Sequence, residues 1–389
     1  MKRLLYIDLP FIGERGGDKN RSKFIWNAIT NEFEIDLLLI RTYKDKNKDI
    51  NAHDGCKDQY FIETKKSGKL SPESIFSFPK KEIKKFKGIL RNGNYDIIFI
   101  RFASPSRLAD IAGNVLPKTK IIIDIDMLFS RLSELSWKTN PTLKNRFFFI
   151  ENKRLKKYEK KLFNKPYLFL FTNYIEKEIV EKKYVKPASK GVFKILPNVM
   201  KETLYLPPEK REQHILFFGA LNSAANVDAF SFIAKDIYKL ISHKLEEKKV
   251  HFHIVGKNQT AIFKQYITEY QLKMVKIVGE VDDMNASITE SLFVVLPIRI
   301  ASGTRTRILE AGNLRTAVIS TTIGAEGFTF EKDELIIEDT AEGLAKAIIQ
   351  LLNDPKEAEQ FGEKLYKKSR ELYLDTNVAK NLIHQIREY

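Results

Sequence analysis

One cysteine, Cys56, stands in 389 residues. A lone thiol closes no intrachain disulfide, so the fold must rest on its core, and a reducing compartment is its natural home. Long apolar runs are missing as well. The longest, residues 292–298, falls well short of the roughly 18–20 residues of a membrane span and reads as a buried strand. At the N-terminus Leu4-Leu5-Tyr6-Ile7 is broken by Asp8 and Pro10. That run is too short for a signal-peptide core and reads as a first strand. The six histidines, His53, His214, His243, His251, His253 and His384, fall into no metal-ligand spacing. His251 and His253 alternate along a strand-like segment and read as structural. Zinc-finger spacing, a helix-turn-helix cue and an RNP-like aromatic pattern are also lacking.

What is plentiful is positive charge. Sixty-six Lys and Arg face 50 Asp and Glu, a formal net charge of +16 and a pI near 9.5. Such an excess first suggests nucleic acid, but with no matching motif the expectation is no nucleic-acid partner. The lysines are spread over helix-like stretches such as 80–85 and 153–161. They read as a solvated surface, with an anionic membrane face or an anionic acceptor as the alternative. Hydrophobic residues make up 43% of the chain and charged residues 30%, which excludes a disordered protein. The length suits two α/β domains of roughly 150–200 residues each.

Apolar, β-branched runs at 4–8, 35–40, 97–101, 121–125 and 167–172 alternate with helix-like stretches at 21–31, 80–92, 105–114, 147–163 and 174–183. Near-continuous apolar strands between amphipathic helices predict a parallel sheet covered on both faces. The alternation starts afresh at 215–219, with a helix near 225–241 and strands at 251–256, 275–279 and 291–297. Each half therefore reads as a doubly wound Rossmann-like domain. Leu196-Pro197-Asn198 and Leu206-Pro207-Pro208-Glu209 look like a linker. The expected organisation is an N-terminal domain over 1–200, a linker over 201–212, a C-terminal domain over 213–372, and a final helix over 373–389 packing back on the first domain. Ligands are expected in a cleft between the strand C-terminal ends of the two domains.

The most informative segment is Leu296-Pro297-Ile298-Arg299-Ile300-Ala301-Ser302-Gly303-Thr304-Arg305-Thr306-Arg307-Ile308-Leu309-Glu310. A buried strand enters a small-residue loop, and a helix is expected to begin near Thr304. Open amides at a helix start, with the positive end of its dipole, favour an anion. Arg299, Arg305 and Arg307 are expected to add fixed positive charge. A guanidinium–phosphate hydrogen bond contributes on the order of 1.5–3 kcal/mol. Glu310, three residues after Arg307, shares its helix face and suits vicinal hydroxyls. A simple Arg307–Glu310 surface ion pair beside an ordinary loop is the alternative.

This segment resembles the donor motif of glycosyltransferase family four, P-L-R-x-G-S-G-T-R-x-K-I-L-E-A. Further matches follow in order. Phe217-Phe218-Gly219-Ala220 with Asn226-Val227-Asp228, Ile254-Val255-Gly256, Val278-Gly279-Glu280-Val281, and Thr316 to Thr321 with Gly324-Ala325-Glu326-Gly327 are similar to the strands and loops around that motif. The resemblance covers residues 214–355. In the N-terminal half, Gly16-Gly17 resembles the family's Gly-rich loop, and Leu196-Pro197-Asn198-Val199 its P-N-G-V hinge without the glycine. Residues 123–130 with Glu151 to Glu159 resemble a pattern of one branch.

The resemblance implies a GT-B fold: two Rossmann-like domains facing across a cleft. It also implies retaining transfer of a sugar from a UDP- or GDP-type donor to a glycan or lipid-linked acceptor, in bacterial surface polysaccharide synthesis. The implied place is cytoplasmic, with peripheral contact at an anionic inner membrane face. The donor side would comprise Gly219, Asn222, Val278, Gly279, Ser302, Gly303, Thr304, Arg305, Arg307 and Glu310, with Arg305, Arg307 and Glu310 catalytic. Gly16, Gly17, Arg21 and Asp126 would line the acceptor side. No metal or other cofactor is expected beyond the nucleotide-sugar co-substrate. The chain departs from the pattern in three places: Ser302 replaces a glutamate common in the family, Arg307 replaces its lysine, and no histidine falls in the Asp124–Asp126 region. Those departures keep a non-catalytic GT-B partner or glycan-binding protein, and a nucleotide-sugar epimerase, as rival readings.

Overall fold

The structure is a computed structural model and describes residues 1–10, 17–42, 53, 55–65, 74–139, 146–201, 211–257 and 261–389. The chain forms two compact units, residues 1–198 with 376–389, and residues 199–375.

The first unit is built on seven parallel strands: β1 (Arg3–Asp8), β2 (Glu34–Arg41), β3 (Gln59–Glu63), β4 (Ile97–Arg101), β5 (Lys120–Ile125), β6 (Leu168–Phe171) and β7 (Val192–Ile195). Their order is β3-β2-β1-β4-β5-β6-β7. The central strands are buried along nearly their whole length, because helices such as Lys80–Gly93 and Arg107–Val115 cover the sheet. The first helix, Gly17–Thr30, follows β1. The last helix, Asp375–Glu388, returns to this unit: Gln385 Nε2 donates to the Ile195 carbonyl at 3.0 Å and the Tyr389 hydroxyl to the Pro166 carbonyl at 3.1 Å.

The second unit holds β8 (His214–Phe218), β9 (His251–Val255), β10 (Val275–Gly279), β11 (Val294–Leu296), β12 (Val318–Ser320) and β13 (Ile336–Ile337), in the order β10-β9-β8-β11-β12-β13, all parallel. The single helix expected near 225–241 is instead Ala224–Phe232, a π-helical turn over Ile233–Ile237, and a helix Tyr238–Lys248. Of the expected linker, residues 202–210 lie outside the described residues. Arg211, expected at its end, is already bonded into the unit, donating to the Thr289, Ser291 and Arg315 carbonyls at 2.7–3.0 Å. In both sheets the strand order reverses next to the unit's first strand, at β1/β4 and at β8/β11. Loops leaving the C-terminal ends of such a pair diverge and open a crevice for ligands.

Candidate active site

The segment singled out in the sequence leaves β11 at that reversal. Ser320 Oγ on β12 donates to the Leu296 carbonyl at 3.0 Å, and Thr321 Oγ1 to that of Ile298. These bonds brace the exit of the strand. Arg305 folds back to donate to the Ser302 carbonyl. Gly303 has φ 72°, a left-handed backbone that a side chain would strain. Ser302 and Thr304 are buried beside it. The helix begins at Thr306, two residues later than expected, and its N-cap residue Arg305 makes no side-chain cap hydrogen bond. An N-terminus built this way favours an anion.

Arg307, in the first turn, reaches the other side of the reversal. Its Nη1 donates to the Phe218 carbonyl at the end of β8, and its guanidinium lies 5.9 Å from the Phe217 ring. Burial, aided by the nearby Arg305 charge and opposed by Glu310, pushes its pKa down to about 10. The guanidinium, half-buried, thus sits beside a second cation. An anion there would gain more than at an exposed arginine. Gly219 makes this approach possible. A Cβ on it would stand 2.7 Å from Arg307 Nη1 and 2.7 Å from Asn226 Nδ2, and its φ is 148°.

Glu310 accepts a hydrogen bond from Thr306 Oγ1 at 3.1 Å. Burial raises its pKa, with Thr306 and Arg307 acting the other way. Among the described residues it forms no direct ion pair with Arg307, so the surface-pair alternative is not what the structure holds. Asn222 is exposed in the turn after β8, Val278 is exposed on β10, and Gly279 ends that strand with φ 84°. The Gly219 amide donates to the Val255 carbonyl at 3.0 Å and the Gly256 amide to that of Gly279 at 2.7 Å. Those bonds tie the ends of β8, β9 and β10 into one rim.

One expectation is corrected. Arg299 does not add free charge to the loop: it makes a two-pronged pair with Asp228 at 2.8 and 3.0 Å and stacks over Phe232 at 4.3 Å. Arg305 and Arg307 remain the arginines beside the loop.

In the first unit, Gly16 lies outside the described residues and Gly17 opens the helix after β1. Arg21, expected to line the acceptor side, is committed inside the fold. Its Nε and Nη2 donate to Asp124 at 2.9 and 2.5 Å, Nη2 also to the Leu196 carbonyl at 2.9 Å, and Nη1 to the Pro197 carbonyl and Asn198 Oδ1 at 3.1 Å. All five of its donors are used, so it acts as a brace. Arg101, at the end of β4, pairs with the same carboxylate and donates to Ser22 Oγ at 2.9 Å. Asp126 follows β5, half-buried, and its carbonyl accepts from Thr172 Oγ1 at 3.3 Å. Sequence reading gave Arg101 and Asp124 no place, although a charge ending one apolar strand and another inside Ile121-Ile122-Ile123-Asp124-Ile125 was the available signal.

Residues 212–354 match the family model for glycosyl transferases group 1. No curated protein matches the chain in sequence. The whole chain has the GT-B fold, and its matched domain, residues 212–354, is that of a glycosyl transferase. Among solved structures, sucrose-phosphate synthase from Thermosynechococcus elongatus is similar over 100% of this chain and 99% of its own, at 15% identity and TM-score 0.71. HepE from Anabaena, in complex with UDP-glucose, is similar over 100% of both chains at 12% identity and TM-score 0.69. A TarM variant from S. aureus, in complex with fondaparinux, alpha-GlcNAc-glycerol and UDP, covers 99% of both chains at 12% identity and TM-score 0.67.

Proposed function

We propose that the chain transfers a glycosyl group, with retention, from a UDP- or GDP-type sugar to a glycan or lipid-linked acceptor in bacterial surface polysaccharide synthesis. The observation that carries this reading is Arg307: a half-buried guanidinium held against the Phe218 carbonyl, next to Arg305 and the Gly303 loop. A diphosphate is the ligand such a site fits. In the reaction the acceptor oxygen bonds to the anomeric carbon while the bond from that carbon to the diphosphate breaks. The acceptor proton passes to the departing phosphate. Negative charge grows on the leaving group, so donors fixed in place there act on rate as well as on binding. Glu310 would accept from the ribose hydroxyls, and the rim at Val278 and Gly279 would face the base. Ser302, Thr304 and Asn222 would complete the donor side, and Gly17 and Asp126 the acceptor side. The UDP-glucose complex of HepE and the UDP complex of TarM support a uridine donor.

The charge of the chain supports the acceptor half of the proposal. The first unit carries 43 Lys and Arg against 24 Asp and Glu, and the second 23 against 26. All of the positive excess thus belongs to the unit proposed to take the acceptor. A phosphate-bearing carrier or an anionic cytoplasmic membrane face would gain from it.

The test is release of nucleoside diphosphate from UDP-glucose and GDP-mannose by the wild type and by Arg307→Ala, with the anomeric proton of the product followed by NMR. Release from one donor, reduced about 10–100-fold or more in the variant, with an unchanged anomeric configuration, is expected. Equal turnover by the variant, or inversion, would overturn the role or the stereochemistry.

A further inference from the structure

Asn226 stands next to this site with a group that nothing among the described residues satisfies. It lies in the helix after β8, 4% exposed, behind the Ser223 cap. Its Nδ2 donates to the Ala220 carbonyl at 2.8 Å, which fixes the orientation of the amide. Its Oδ1 is buried and has no hydrogen-bond partner among the described residues. Buried acceptors left unpaired are rare in folded proteins and point to a partner that arrives later. The Asn226 amide and a source of donors lie close together: Arg307 Nη1 and Asn226 Nδ2 are each 2.7 Å from the point where Gly219 would carry a Cβ. Of the guanidinium's five donors, one is engaged among the described residues, at the Phe218 carbonyl.

We propose that Asn226 is a positioning residue for the donor diphosphate, its Oδ1 receiving an Arg307 N–H when the ligand draws the guanidinium into place. Held on one edge by Phe218 and Asn226, the planar group presents its other edge to two phosphate oxygens at once, which a singly tethered guanidinium does not do reliably. The inference rests on the donor site proposed above and adds the residue that orients its principal cation.

The test is isothermal titration of UDP, UMP, GDP and GMP into the wild type, Asn226→Ala, Arg307→Ala and the double variant. Because Asn226 acts through Arg307, the expected result is about tenfold weaker diphosphate binding by Asn226→Ala with unchanged monophosphate binding. The double variant should bind no more weakly than Arg307→Ala alone. Retained monophosphate binding also shows that the variant is folded. Equal loss of mono- and diphosphate affinity, no loss at all, or additive losses in the double variant would overturn the inference and leave the donor site standing. A wild type that binds none of the four nucleotides would overturn the donor site itself.

Discussion

Arg307 and Asp124 are the two residues on which the charged interiors turn, and they differ in how the fold treats them. Arg307 is left with a neighbouring cation and a single carbonyl, as suits a group awaiting an anion. Asp124 is held by Arg21 and Arg101 together and is itself fully buried. Converting Asp124 to Asn would leave two buried guanidinium groups short of a counter-charge, a loss on the order of 3–5 kcal/mol. Chemical unfolding followed by tryptophan emission checks this, since Trp26 and Trp137 both belong to the first unit. A loss below about 1 kcal/mol would mean that the arginines find other partners. The residues of the proposed donor site stand out in the sequence because loop, arginines and carboxylate are contiguous, and Glu310 keeps helical spacing from Arg307. The bonding of Arg21 inside the fold was hidden for the opposite reason. Its partners, Asp124 and residues 196–198, are over a hundred positions away, and nothing local in the sequence announces them.

Among the elements, the buried strands were readable, and of the sheet edges only β10 was. β1, β2, β4, β5 and β6 are apolar runs because helices cover both faces. β3, β7 and β13 lie at sheet edges and are short or half-exposed. With one side open they carry mixed residues that no apolar pattern reveals. The π-helical turn at Ile233–Ile237 was likewise hidden, since it adds a residue to a turn without changing composition. The reversal between β8 and β11 gives a prediction at this scale. Gly219→Ala would place a methyl group against Arg307 and Asn226 on an unfavourable backbone, and should weaken diphosphate binding at least about tenfold. Gly88→Ala, with nothing within 4 Å of the new methyl in helix Lys80–Gly93, should leave binding unchanged and stabilise by about 0.4–1 kcal/mol. Calorimetric titration and thermal unfolding of the two variants would compare them directly.

Two buried sites of the whole molecule should answer pH in opposite ways. In the second unit His214 and His253 stack at 4.2 Å. Burial lowers both, His253 to about 4 from an ordinary 6.5. Below about 6.5 the unfolded chain takes up protons that the folded unit refuses, so this contribution to stability is lost as pH falls from 6.5 towards 4. In the first unit burial raises Glu159 to about 7, although the Ser130 amide donates to it at 3.1 Å. There the folded state keeps a proton that the unfolded chain gives up above about 4.5, so stability is lost as pH rises from 4.5 through 7. Between pH 5 and 6.5, His253→Gln should remove a gain in stability with rising pH and Glu159→Gln a loss, each read as the shift of the unfolding midpoint against the wild type. Effects of the same sign in the two variants would contradict these assignments. The central claim, a nucleoside diphosphate held by the β8–β11 reversal, is tested most directly by thermal shift. UDP, GDP, ADP and their sugars would be added to the wild type and to Glu310→Ala. At about 100 times its dissociation constant a ligand adds roughly 2.7 kcal/mol, so one nucleotide should raise the wild-type transition clearly and the variant's little. No shift with any nucleotide, or equal shifts in both proteins, would contradict a donor site at this place.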